Sequence, residues 1–146
     1  VTYTIETLTW DKIKDDHYLI MWMAHHAAKV AEMYGSWVKW QNFDIKTYAE
    51  RQRIRLCRRD GDPVGVMLAS IYPSVFDNSV LIYQQDLLYA RPGTRAAKLL
   101  MDDFIDFGKG HAKHIISMIG ANTNIKPKSL ERLGFKKLEE LYRIEV

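Results

Sequence analysis

Residues 91–97, Arg91-Pro92-Gly93-Thr94-Arg95-Ala96-Ala97, carry the densest chemical information in the sequence. A long strand-like run, Val80 to Tyr89, breaks there into a turn that opens directly onto a helical pattern. The first N–H groups of a helix lack internal partners and its dipole is positive at that end, so such a junction attracts phosphate. Gly93 lets the main chain approach a ligand closely, Thr94 is placed to cap the helix, and Ala96 and Ala97 keep bulk out of the way. Arg91 and Arg95 add charge that pairs with phosphate oxygens. The segment predicts a pyrophosphate cradle, against the plainer alternative of a strand-to-helix turn bearing surface arginines.

Other reactive residue types fit no site by spacing. His25 and His26 are adjacent, so on a helix they point apart and have no ligand partner four residues away. His111 and His114 flank a helix-to-strand connection without a cysteine or carboxylate cluster. No metal site is expected. Cys57, the single cysteine, sits in an alternating strand and reads as a buried structural thiol; it excludes an internal disulfide and suits a reducing, cytoplasmic compartment. Tyr18, Met21, Trp22, Met23, Met33, Tyr34, Trp37 and Trp40 exceed what one helical face buries, which adds a homodimer contact or a substrate groove to ordinary core packing. Lys126, Lys128, Arg132, Lys136 and Lys137 read as the solvated face of a short helix.

The elements that must position the loop follow from periodicity. Tyr3 to Leu8 alternates as a strand; Asp15 to Tyr34 shows Leu19, Met23, His26 or Ala27, and Val30 at helical spacing and ends at Gly35. Asp44 to Glu50 predicts a short helix and Ile54 to Arg58 a strand, closed by Asp60-Gly61 as a tight hairpin turn onto Val64 to Ile71. After the loop, a helix to about Gly108 turns Leu100, Met101, Phe104, Ile105 and Phe107 inward and Lys98, Asp102, Asp103 and Asp106 outward. His114 to Ile119 is a strand, Lys126 to Leu133 a short helix stopped by Gly134, and Lys137 to Val146 a last strand. The order predicts an α+β layer architecture.

Length and composition agree with one domain over residues 1–146. With 47% hydrophobic residues the chain can bury an ordinary core unaided. A net charge of +3, spread along the chain, does not mark a nucleic-acid binder. The longest apolar stretch, Leu19 to Ala31, is interrupted by His25, His26 and Lys29 and is too short for a bilayer, so neither a membrane anchor nor a signal peptide is expected.

Two motifs carry a family resemblance. The loop resembles the acyl-CoA signature of the GNAT acetyltransferase superfamily, Gln/Arg-x-x-Gly-x-Gly/Ala. In one register Arg91 takes the first position, Thr94 the central glycine and Ala96 the last, with Leu99-Leu100 following; in the other, Pro92 matches a preceding proline and Arg95 the arginine. Ser129-Leu130-Glu131-Arg132-Leu133-Gly134-Phe135 is similar to the C-terminal GNAT signature, in which a short helix ends in Leu-Gly-Phe and feeds a final strand. The resemblance covers roughly Ile54 to Val146, and the low glycine content resembles divergent members found in bacteriophages.

The resemblance implies a GNAT-like mixed, mostly antiparallel sheet of about six strands flanked by four helices. It implies acetyl-CoA as co-substrate, with its pantetheine arm on the main chain of Leu87, Leu88 and Tyr89 and its diphosphate on Arg91, Gly93, Thr94, Arg95, Ala96 and Ala97. The basic group after Lys126 would then meet the ribose 3′-phosphate. Asn122 stands near the position of the asparagine that opens the C-terminal signature. An amine of a small molecule or protein would attack the acetyl carbonyl, with Asp86 as general base and Ser129, Tyr89 or Tyr83 as acids toward the thiolate. Where many family members carry a tyrosine acid, this sequence has Leu130, which donates no proton. That departure leaves a second expectation, a GNAT-fold protein without turnover that serves as a structural or binding component.

Overall fold

The computed structural model describes residues 1–34, 44–117, 126–138 and 144. Strand β1 (Tyr3–Thr7) is followed by helices α1 (Trp10–Ile13), α2 (His17–Tyr34) and α3 (Ile45–Arg51). Strands β2 (Arg53–Arg59), β3 (Asp62–Pro73) and β4 (Leu81–Ala90) lead into α4 (Ala96–His111), β5 (His114–Ile116) and α5 (Pro127–Arg132). The described residues thus form an α+β fold with five strands and five helices. The extra helix is α1, a single turn that the sequence pattern does not announce. The expected last strand lies largely outside the described residues, and Lys137 and Leu138 at its start are in no strand.

The sheet runs β1-β2-β3-β4-β5, antiparallel from β1 to β4, with β5 parallel to β4. Antiparallel neighbours need only short connections, whereas the parallel β4–β5 pair needs a crossover, which α4 supplies. Asp60 and Gly61, both at positive φ (49° and 88°), form the β2–β3 turn, and the Asp60 carboxylate accepts from the Thr2 amide at 2.8 Å, tying the turn to β1. Asp16 caps α2 through Leu19 N–H (3.0 Å), and Asp44 caps α3 through Thr47 N–H (3.1 Å), so each helix starts where a carboxylate meets its orphan donors.

Two cores cover the two faces of the sheet. On one face α2 lays Leu19, Trp22, Met23, Ala27 and Val30 against Ile54, Leu56, Val66, Leu68 and Leu87, with Ile13 of α1 fully buried beside them. On the other, α4 lays Ala96, Leu100, Met101 and Phe104 against Cys57, Val64, Met67 and Tyr83. Cys57 is buried as expected, and burial pushes its thiol up. Asp103 does not face outward: it turns to β2 and takes two bonds from the Arg55 guanidinium, at 2.6 and 2.9 Å. Among the described residues no helix is long and apolar enough to cross a membrane.

Candidate active site

The site is organised by an irregularity in β4. Leu68 pairs with Leu87 and Ala69 with Gln85, so Asp86 is an extra residue in the ladder, a β-bulge. Its effect on side-chain direction is large. Tyr83 faces α4, with its ring 4.7 Å from Phe104 and 4.9 Å from Phe107. Strict alternation would send Leu87 and Tyr89 to that same face, yet both pack in the α2 core, while Leu88 and Ala90 turn to α4.

The bulge also aims Asp86 at α3. Tyr48 donates its hydroxyl to Asp86 Oδ2 at 2.6 Å, and Ser70 donates to the same oxygen. Gln84 Nε2 donates to Oδ1 at 3.2 Å, and Tyr72 in turn donates to Gln84 Oε1 at 2.7 Å. Burial first, and the Asp86 carboxylate second, drive the Tyr48 phenol far above its ordinary pKa, so it stays a donor through the physiological range. Oδ1 carries only this one long bond among the described residues.

Beside the bulge, β4 loses its neighbour. The β5 ladder ends at Gln84 opposite Ile116, and one step on Ser117 donates to the buried Gln85 side chain at 2.8 Å. From Asp86 to Ala90 that edge of β4 has no partner strand among the described residues. Among the described residues, then, Leu87, Leu88 and Tyr89 have no strand on that side, and an unpaired edge is a template for an extended ligand.

At the end of that stretch lies the loop. Arg91 N–H donates to Val64 O at 2.8 Å, and the Thr94 hydroxyl closes the turn onto Arg91 O at 2.7 Å. Thr94 caps α4 only weakly, its oxygen lying 3.4 Å from Ala96 N. Arg95 N–H is taken by the Tyr3 hydroxyl at 3.2 Å, whereas Gly93, Ala97 and Lys98 N–H find no acceptor among the described residues. Gly93 has φ of 78°, and a Cβ there would meet open space, so close approach of a ligand is unobstructed. Ala97 is exposed, but Ala96 is fully buried, packed on Gly65 of β3. Its small size serves the helix–sheet contact. Arg91 and Arg95 are exposed.

A ring cluster packs on Tyr89. His26 stacks on Tyr89 with centroids 4.0 Å apart and 14° between planes, and Trp22 meets His26 edge-on at 4.8 Å. Burial, then the charges of His25, Lys29 and Arg91, push the His26 imidazole down, which keeps it neutral near pH 7. Its Nδ1 is buried with no partner among the described residues. The sequence reading gave His26 only packing and surface roles; its position one helical turn beyond Trp22, on the buried face, was the available signal. Tyr18 and Met21 are exposed on the opposite side of α2.

The same architecture occurs in solved acetyltransferases. The ribosomal-protein-alanine N-acetyltransferase of Brucella melitensis biovar Abortus 2308 matches with a TM-score of 0.73 at 18% identity, over 100% of both chains. The glucosamine-6-phosphate N-acetyltransferase of Arabidopsis thaliana matches with a TM-score of 0.67 at 13% identity, over 99% of each chain. A predicted acetyltransferase of Clostridium acetobutylicum, crystallised with acetyl-CoA, matches with a TM-score of 0.64 at 10% identity, over 99% of this chain and 96% of that one. The chain has the GNAT fold. No protein-family model matches its sequence, and no curated protein does.

Within the GNAT fold the expected acids are dispersed. Leu130, at the tyrosine position, is buried in the α4-side core with Phe135 packed near it. Ser129 is exposed on α5, while Asp86 turns toward α3 on the other face of the sheet, so the two are not brought together. Tyr83 is fully buried and faces α4. Tyr89 lies in the part of β4 without a partner strand among the described residues, its ring held by His26. Asn122 lies outside the described residues.

Proposed function

We propose that the chain is an acetyl-CoA-dependent N-acetyltransferase, with its 146 residues forming one acyl-CoA-binding domain. The observation that carries this reading is the junction at which, among the described residues, β4 has no partner strand from Asp86 on and runs into a loop whose amides at Gly93, Ala97 and Lys98 have no acceptor. In this reading the pantetheine arm adds to β4 through the main chain of Leu87, Leu88 and Tyr89. The diphosphate sits on the amides from Gly93 to Lys98, with Arg91 and Arg95 supplying opposite charge. Asp86 Oδ1 takes a proton from the incoming amine, whose nitrogen attacks the acetyl carbonyl as the carbon–sulfur bond breaks. Tyr48 and Ser70 hold the other oxygen and so fix the direction of the carboxylate. Of the expected acids, Tyr89 alone lies in the part of β4 without a partner strand among the described residues, and it protonates the thiolate. The acceptor is an amine on a small molecule or a protein. A buried, unpaired Cys57 fits a reducing compartment such as the cytoplasm.

A second reading has one specific observation behind it. Leu130 is committed to the core and Ser129 points away, so a catalytically degenerate GNAT-fold binder, such as a phage-particle component or a protein directed at a host target, accounts for the missing acid.

Thermal denaturation with acetyl-CoA tests the shared premise: ligand at 100 times its dissociation constant adds about 2.7 kcal/mol to the native state. No shift at millimolar acetyl-CoA removes the enzyme reading. A shift that persists undiminished in Arg91→Ala and Arg95→Ala shows the phosphates are misplaced. Thiol release from acetyl-CoA across a panel of amine acceptors then separates the two readings, since the binder releases none.

A further inference from the structure

Gln84 and Asp86 lie two residues apart on β4, and their side chains meet where Gln84 Nε2 donates to Asp86 Oδ1 at 3.2 Å. The other end of the same amide is also taken. Tyr72 of β3, diagonal to Gln84 across the ladder, donates its hydroxyl to Oε1 at 2.7 Å. A side-chain amide donates at one end and accepts at the other, so a flip would turn its carbonyl oxygen against a carboxylate oxygen. Tyr72 and Asp86 together therefore leave it one orientation. Burial first, and the Asp86 charge second, push the Tyr72 phenol up, so it keeps the proton that it donates.

On Asp86 the bonds divide unequally. Tyr48 and Ser70 both hold Oδ2. The freedom left to the carboxylate is rotation of its plane about that anchored oxygen, and a bond to the other oxygen removes it. Gln84 supplies that bond. It is longer than the Tyr48 bond of 2.6 Å, hence weaker, and Oδ1 keeps lone-pair capacity for a second donor. The groups bonded to Asp86, the Tyr48 phenol from α3, the Ser70 hydroxyl from β3 and the Gln84 amide from β4, are all neutral. Among the described residues Asp86 makes no ion pair, so neutral bonds alone set its orientation.

We infer that Gln84, oriented by Tyr72, is a positioning residue for the reaction: it fixes the plane of the Asp86 carboxylate and so the direction in which Oδ1 meets the amine. The inference rests on the reading of Asp86 as general base. As the amine nitrogen bonds to the acetyl carbon, the carbon–sulfur bond breaks with its electron pair going to sulfur, and the amine proton passes to Oδ1. Gln84 gains and loses no proton; it acts through the carboxylate.

Thiol release from acetyl-CoA tests this, with butylamine, glucosamine or an alanyl peptide as acceptor, whichever is fastest. Gln84→Leu lowers kcat by about 10- to 100-fold, the loss that misplacing a reacting group by about 1 Å brings, and leaves KM for acetyl-CoA within about twofold. Gln84→Glu keeps the shape and serves if Gln84→Leu fails to fold. It sets a second carboxylate beside Oδ1, and like charges there favour a shared proton, so the acid limb of kcat/KM moves to higher pH. Tyr72→Phe lowers kcat less, and adding it to Gln84→Leu lowers kcat no further, because it acts through Gln84. In heteronuclear NMR the Gln84 side-chain amide signal shifts in Asp86→Asn and in Tyr72→Phe, with or without turnover, while backbone dispersion reports the fold of each variant. A wild type inert with every acceptor, or an Asp86→Asn that keeps its kcat, removes the base reading and this inference with it. An active wild type and an inert Asp86→Asn, with kcat and the acid limb unchanged in folded Gln84 variants, leave the base in place and overturn the role of Gln84 alone. A Gln84 amide signal indifferent to Asp86→Asn overturns it equally, and additive losses in the double variant overturn the part given to Tyr72.

Discussion

Gly65 is where the fold and the proposed activity meet, and replacing it by alanine tests both. A Cβ there would lie 2.9 Å from Ala96 Cβ, 2.9 Å from Leu100 Cδ1 and 3.1 Å from the Tyr89 carbonyl oxygen. The Leu100 methyl can swing aside; Ala96 Cβ and the Tyr89 carbonyl cannot. Restoring a carbon–carbon separation of roughly 3.5–4.0 Å therefore pushes the first turn of α4 outward by about 0.6–1 Å. Overpacking of this kind costs about 1–3 kcal/mol, and the reduced entropy of the unfolded chain returns only about 0.4–1 kcal/mol. The steric term wins. At about 2–4 °C per kcal/mol for a domain near this size, Gly65→Ala lowers Tm by several degrees in differential scanning calorimetry. The displaced turn also carries the amides of Ala97 and Lys98, so acetyl-CoA affinity falls in isothermal titration. Gly61→Ala is the control: its φ of 88° makes alanine strained, but nothing lies within 4 Å of the new Cβ and the turn is remote from α4. It lowers Tm and spares acetyl-CoA. If Gly65→Ala leaves both Tm and affinity unchanged, α4 does not sit this close to β3 and the positioning of the loop has been misjudged.

Three further outcomes follow from the packing and the charges. Asp103→Ala strips the two carboxylate acceptors from Arg55, leaving it the Thr7 hydroxyl, in a pair whose side chains are only 16% and 20% exposed; chemical denaturation should show a loss of about 2–3 kcal/mol, and a loss below about 0.5 kcal/mol, the ordinary surface range, contradicts a structural role for the pair. The depressed His26 makes the unfolded chain bind a proton more readily than the folded one as pH falls below the ordinary value of 6.5, so stability drops there. His26→Gln flattens that acid limb, with the fluorescence of nearby Trp22 as reporter; an unchanged limb assigns it to other groups. Tyr83, pushed up to about 12, chiefly by burial, keeps its proton while the unfolded chain loses it above about 10, so stability falls between pH 10 and about 12. Ultraviolet titration of the phenols should show Tyr83 absent from the ordinary tyrosine step, and its appearance there refutes the burial argument.

What was legible in the sequence was what depends on neighbours along the chain. Asp60-Gly61 announced its turn because few residue pairs accept two consecutive positive φ angles, and α2 announced its face because Leu19, Met23, Ala27 and Val30 recur at the helical period. The strand-loop-helix around Gly93 was legible for the same reason. Helix α1 was not, since one turn carries no period; what holds it is long-range, the burial of Ile13 and the packing of Trp10 on the same core. Asp103 was placed outward because a carboxylate on a helix prefers water, and only the arrival of Arg55 from β2 reverses that preference. Ala96 was read as a space-saver for ligand when its neighbour is Gly65.

The bulge shows why the site itself was harder to read than the fold. Gln84 to Tyr89 runs three polar residues and then three apolar ones, a break in alternation that does not itself mark Asp86 as the residue that has no partner on β3. The one-residue offset appears only when two strands are laid side by side. Yet it decides three things at once: it sends Tyr83 and Leu87 into different cores, turns the Asp86 carboxylate to Tyr48 and Ser70, and falls just beyond Gln84, where the β5 ladder ends. Residue types told what Asp86 could do. Pairing between distant strands put a carboxylate beside the stretch of β4 that has no partner strand among the described residues, and the proposed chemistry needs that conjunction more than it needs any single side chain.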